Sequence, residues 1–187
     1  MKKTIFLSLY FFLISCVTTQ TTIIENGKEG KGHLKNNLKE GNWFLSKDGK
    51  LNSTGKFSKN EKKGTWKFFY PDGKLHQKGK FKNDKQNGIW KYYFDTGEFM
   101  GKGKLENDKQ IGLWKWYYKN GNLYTERFYE DGKLMEIKSC FDENKNLLDC
   151  GEIKNGNGYL LGHDLNNQTD KIEKSEYKNG IFIKNNR

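Results

Sequence analysis

Four copies of one phrase constrain this chain more than any other feature. Gly-basic-apolar, a polar stretch and then Gly-x-Trp recur as "GHLKNNLKEGNW" (32–43), "GKFSKNEKKGTW" (55–66), "GKFKNDKQNGIW" (79–90) and "GKLENDKQIGLW" (103–114). Trp43, Trp66, Trp90 and Trp114 are therefore spaced 23, 24 and 24 residues apart. A fixed period of this size means stacked supersecondary units, each unable to bury its apolar face alone.

A second phrase follows each Trp: "WFLSKDGKL", "WKFFYPDGKL", "WKYYFDTGEF" and "WKWYYKNGNL". Its period is two. Trp90, Tyr92 and Phe94 fall on one side of a strand, with Lys91 and Tyr93 on the other; Trp66, Phe68 and Tyr70, and Trp114, Trp116 and Tyr118, repeat the pattern. Asp72-Gly73 and Asn120-Gly121 read as two-residue type I′ hairpin turns, in which both central residues take positive φ. The stretch "KNDKQNG" reads as a longer polar turn. Each unit thus encodes two antiparallel strands, and the chain is expected to be all-β: an elongated antiparallel meander of tandem 23–24-residue hairpin repeats. Hydrophobic residues are 34% of the chain against 30% charged and 15% aromatic, so burial must fall largely to rings. Trp43, Trp66, Trp90, Trp114, Phe68, Tyr92 and Trp116 are the expected ladder of rings shared by adjacent units. Gly79 and Gly103 sit inside the strands, where a neighbouring ring could cover the bare backbone.

The expected divisions are an export signal at 1–15, a lipid-bearing Cys16 with a polar tether at 16–29, hairpin repeats at 30–134, and degenerate repeats with a C-terminal cap at 135–187. "MKKTIFLSLYFFLISC" opens with a basic pair followed by an apolar stretch too short to span a bilayer. Its end, Leu13-Ile14-Ser15-Cys16, resembles the lipobox of bacterial lipoproteins, in which the cysteine carries diacylglycerol. Loss of Lys2 and Lys3 on cleavage lowers the formal charge from +11 to +9. With Cys16 lipidated, Cys140 and Cys150 remain as a disulfide pair, contributing on the order of 2.5–3 kcal/mol; two free buried thiols are the alternative.

The pattern Gly-x-Trp-x-x-aromatic-x-x-Asx-Gly-x-Leu resembles the MORN (membrane occupation and recognition nexus) repeat over about Gly30 to Leu134. In detail it looks like the bacterial variant often labelled an antitoxin component. The resemblance implies an extended sheet of hairpins, roles in membrane association or protein binding, and no catalytic residues. An exported chain does not suit a cytosolic toxin neutraliser.

No catalytic or metal-binding constellation accompanies the repeats. His33, His76 and His163 are scattered. "DENKNLLDCGEI" starts like a calcium loop at Asp142, Asn144 and Asn146, but places Leu147 and Ile153 where glycine and glutamate belong. The expectation is a non-enzyme without cofactors: a lipid-anchored scaffold of the bacterial envelope, facing the periplasm from an inner or outer membrane leaflet. Its partners would be the membrane, through the anchor, and an envelope protein or anionic surface polymer; export removes nucleic acid from the set. The basic surplus is otherwise the solvated face of the sheet. Sheet edges offer a route to self-association. The alternative is a glycan-binding or choline-type wall-binding module, for which "WKWYYKNGNL" has the right look. Such a module needs open, ring-lined clefts, so exposure of Trp66, Trp90 and Trp114 separates the two.

Overall fold

The computed structural model describes residues 20–25, 27–163 and 172–186. The export segment, Cys16 and the first residues of the tether lie outside them. The described residues form strands and turns. Eleven strands make one antiparallel sheet in strict chain order: β1 (Thr21–Glu25), β2 (Lys28–Lys35), β3 (Leu38–Lys47), β4 (Lys50–Ser58), β5 (Glu61–Phe69), β6 (Leu75–Lys82), β7 (Lys85–Tyr93), β8 (Phe99–Glu106), β9 (Lys109–Tyr117), β10 (Leu123–Glu130) and β11 (Lys133–Cys140). At about 4.8 Å per strand the sheet is roughly 48 Å across. A second antiparallel meander follows: β12 (Gly151–Lys154), β13 (Asn157–Gly162), β14 (Glu173–Lys178) and β15 (Ile181–Asn186).

The two rows of turns differ in kind, and the sequence assignment of them is reversed. Asp72-Gly73 and Asn120-Gly121 do not form type I′ turns, because only the glycines have positive φ (88° and 84°). Tyr70 O accepts from Gly73 N at 2.9 Å while Tyr70 N donates to Lys74 O at 2.9 Å. This is a three-residue loop, a type I turn closed by a left-handed residue, with Pro71 holding the first turn position at its fixed φ. Residues 95–97, 119–121 and 143–145 repeat the pairing, with Lys145 (φ 70°) in the glycine position of the last. The stretch read as a long polar turn contains instead a two-residue type I′ turn at Asn83-Asp84 (φ 52° and 61°). Asn and Asp tolerate this region better than other non-glycine residues.

Turns with two successive positive φ values begin at Asn36, Lys59, Asn83, Asn107, Asp131, Asn155 and Asn179. The 23–24-residue period therefore continues through the C-terminal part of the chain. The first unit is one residue short because Asp48-Gly49 (φ 51° and 72°) is a two-residue turn where later units use three.

One irregularity recurs in register with the tryptophans. Between β4 and β5 the pairing jumps from Lys56↔Lys63 to Thr54↔Lys67, so that Gly55 faces the three residues Gly64, Thr65 and Trp66. The same bulge sets Gly32 against 41–43, Gly79 against 88–90 and Gly103 against 112–114. Gly41, Gly64, Gly88 and Gly112 open these bulges at φ 68–77°. The bulge lowers each indole onto the glycine opposite it: a Cβ on Gly32, Gly55, Gly79 or Gly103 would run into Trp43, Trp66, Trp90 or Trp114 respectively. Glycine is required there by close approach, and the indole supplies the apolar cover that the strand otherwise lacks.

Candidate binding surface

The four tryptophans form a closed row. Trp43, Trp66 and Trp90 are 0% exposed and Trp114 is 1% exposed. Phe57, Phe81 and Leu105 fill the places between them. Phe57 meets Trp66 edge to face at 5.0 Å between centroids, and Phe81 meets Trp90 in the same way at 5.4 Å. Such geometry adds about 0.5–1.5 kcal/mol per pair beyond area burial. Lys39 and Lys62 close over the row, their Nζ atoms 5.4 and 5.2 Å from the Phe57 and Phe81 ring centroids. Trp43 and Trp66 donate their indole N–H groups to Glu40 O (3.2 Å) and Lys56 O (3.1 Å); those of Trp90 and Trp114 are buried with no acceptor among the described residues.

Phe68, Tyr92 and Trp116 form a second, half-buried row against the first. Phe68 lies 6.1 Å from Trp90, Tyr92 lies 5.4 Å from Trp116, and Trp116 stacks on Trp114 at 5.8 Å. Burial raises the Tyr92 phenol above its ordinary pKa.

Hydrogen bonds tie each unit to the next along both margins. Asp84 N donates to Lys62 O (3.3 Å), while the Asp84 carboxylate accepts from Lys62 N at 2.7 Å. Asn60 with Lys39, and Asp108 with Gln86, make the same two-point clasp. On the opposite margin the Tyr70 hydroxyl donates to Tyr93 O and the Tyr118 hydroxyl to Phe141 O, each at 2.9 Å. Tyr118 is 4% exposed; burial first, then the neighbouring Tyr124, Glu143 and Asp142, push its pKa up to about 12.

Cys140 and Cys150 are bonded to each other, with Cα atoms 6.1 Å apart. They are not the directly opposed pair that their symmetry about Lys145 suggests, since Leu148 N donates to Cys140 O at 3.0 Å. The staple is buried with Tyr118 and Tyr124. Leu134, Ile153 and Leu160 form a separate core joining the two sheets. The join also uses backbone: Leu134 N donates to Gly180 O (3.0 Å) and Gly156 N to Met135 O (2.9 Å).

The calcium-like loop spends its carboxylate on itself. Asp142 accepts from Asn144 N, Asn146 N and Asn146 Nδ2 at 2.8–2.9 Å, and these bonds hold its pKa below the usual carboxylate value. Among the described residues no group of three or more His, Cys, Asp or Glu is placed to hold a metal. His76 lies against Tyr70 at 4.5 Å between centroids, and burial lowers its pKa; His163 instead sets its ring edge to face with Tyr124 and donates its backbone N–H to the Tyr124 hydroxyl at 3.3 Å. The two histidines serve different parts of the fold.

Residues 62–83 and 110–131 match the family model of the MORN repeat variant. Residues 86–107 between them carry the same bulge, indole and turns. No curated protein gives a significant match to the chain.

Proposed function

We propose, from the premise that these repeats are MORN repeats, that the protein is a lipid-anchored scaffold of the bacterial envelope that binds its partner on the broad surface of the repeat sheet. MORN repeats are binding modules of a non-catalytic kind. The observation that carries the reading is the closure of the indole row: at 0–1% exposure, Trp66, Trp90 and Trp114 do not line an open cleft of the kind a choline-type wall-binding module needs. What the sheet offers is area, one face and two stitched margins about 48 Å across.

The anchor is proposed from the sequence motif ending at Cys16. Cys16→Ala is expected to abolish radiolabelled palmitate incorporation and to release the protein from the membrane fraction; retention in that fraction would overturn the anchor. The scaffold reading is tested by affinity capture from native envelopes at low and high salt. A specific partner supports it, and a protein that captures nothing at either salt overturns it.

A further inference from the structure

The bulges have a consequence on the face opposite the indoles. They bring one lysine from each of five consecutive strands directly opposite the next: Lys67↔Lys78, Lys78↔Lys91, Lys91↔Lys102 and Lys102↔Lys115. Directly opposed Cβ atoms sit about 4.5–5.5 Å apart, and like charges in that relation destabilise a sheet. Among the described residues no carboxylate pairs with Lys67, Lys78, Lys91 or Lys102. The row ends at Glu126, opposite Lys115 and bonded to it at 2.5 Å. Opposite charge is thus used once, at the end of the row, and avoided along it. Solubility alone would be served equally well by alternating signs.

Two neighbouring features define what would fit. Lys56 opposite Lys63, together with Lys80 and Lys104, forms a second basic strip alongside the row. On the other flank run three half-buried rings: Tyr93 is 5.9 Å from Phe99, and Phe99 is 5.3 Å from Tyr117. Lys78 Nζ stands 5.6 Å from the Tyr93 centroid, which joins the two rows.

We propose that this face docks an extended acidic polysaccharide, a polyuronate-like chain with one carboxylate per sugar laid along Lys67, Lys78, Lys91 and Lys102 and sugar faces against Tyr93, Phe99 and Tyr117. The row advances one charge per strand, about 4.8 Å, whereas a B-form nucleic acid strand advances one phosphate per about 3.4 Å. Single-stranded nucleic acid wants rings interleaved with the cations, but here most large rings are on the buried face. A bilayer is planar, and strands that rotate by about 20–25° each carry the row out of any one plane; a flexible polymer follows it.

The proposal deepens the scaffold reading and is independent of Cys16. The test is calorimetric titration of the full chain with polygalacturonate at low salt. Lys67→Gln/Lys78→Gln/Lys91→Gln/Lys102→Gln is expected to lose about tenfold or more in affinity. The charge-matched control Lys47→Gln/Lys50→Gln/Lys82→Gln/Lys85→Gln should stay within about twofold. Oligouronates should gain affinity up to about four sugars, one for each lysine of the row that lacks a carboxylate partner. Lys91→Glu guards against misfolding of the multiple variant, since it should weaken binding while raising the melting temperature. Equal losses in the two multiple variants, an absence of chain-length dependence, or no binding to polygalacturonate would each overturn the proposal. So would row-dependent binding to phosphatidylglycerol vesicles or single-stranded DNA in its place. A partner captured from the envelope without polyuronate binding would leave the scaffold reading standing and remove this one.

Discussion

The tryptophan-bearing sheet and the four-stranded sheet that follows it keep one period but solve burial differently. Through β9 each unit lowers an indole onto a glycine of the preceding strand, and four such indoles with Phe57, Phe81 and Leu105 make one continuous core. One period beyond Trp114 stands Lys138, and one beyond Gly103 stands Arg127. Neither half of the indole–glycine contact survives. In its place come a compact aliphatic core of Leu134, Ile153 and Leu160 and the Cys140–Cys150 bond. Cys140 occupies the position held by Phe68, Tyr92 and Trp116 in the earlier units. A repeat can therefore be propagated by turn period alone, provided something else closes the core where the ring ladder stops.

The largest expected effect comes from breaking the ladder at its middle. Trp90→Ala should cost about 3–5 kcal/mol in urea unfolding and destabilise the units on both sides. Leu160→Ala should cost about 2–5 kcal/mol while the near-ultraviolet dichroism of the indoles persists. If the indole signal is lost equally in both variants, the two sheets are not separate solutions to burial.

Next in size is the staple. Cys140→Ser/Cys150→Ser should lower stability by about 2.5–3 kcal/mol in the chain-entropy model. Hydrogen exchange should rise around Tyr118, Tyr124 and β12 before it rises in β3–β7. Mass spectrometry of the unreduced protein should find the two cysteines joined, and free thiols there would refute the bond.

The glycines sharpen the contrast further. Gly103→Ala forces a methyl into the Trp114 indole and should cost about 1–3 kcal/mol. Gly162, in β13, has no such neighbour: an added Cβ meets only Glu173 O at 3.6 Å, and its φ is not left-handed. Gly162→Ala should be neutral or stabilise by about 0.4–1 kcal/mol. Equal losses at both sites would mean that ring cover is not why Gly103 is glycine.

The strands and the ring ladder were legible because alternation of Trp90, Tyr92 and Phe94 survives any register. The turns were misread because Asn-Gly and Asp-Gly dominate expectation for type I′, yet Asn83-Asp84 and Lys59-Asn60 form it here while Asp72-Gly73 closes a three-residue loop. The C-terminal part reads in the sequence as degenerate repeats because Trp disappears there, whereas paired turn residues at 131, 155 and 179 keep the 24-residue count. The lysine row was not readable from alternation at all. Which lysine opposes which depends on the extra residues in each Gly-x-Trp bulge, and these emerge only once the strands are paired.

The smallest effect lies at the boundary between the two regions, where Lys115 meets Glu126. The hydrogen bond from Lys115 is the main cause holding Glu126 below its usual pKa, and Glu126 in turn raises Lys115. A lowered carboxylate contributes stability that is complete above its unfolded value, about 4.3, and is lost as pH falls through the lower native one. A raised lysine contributes stability that is complete below its unfolded value, about 10.4, and is lost as pH climbs through the higher native one. The pair is therefore at full strength across the neutral range and fades on both flanks. With Lys115 38% exposed and Glu126 20% exposed, screening leaves about 0.2–1 kcal/mol. Glu126→Gln should lower the melting temperature slightly near neutrality, and the difference should vanish in acid or in about 1 M salt. A difference that persists in acid would assign the effect to the Glu126–Ser139 hydrogen bond of 3.0 Å, and the row would then end in a polar contact rather than in a charge.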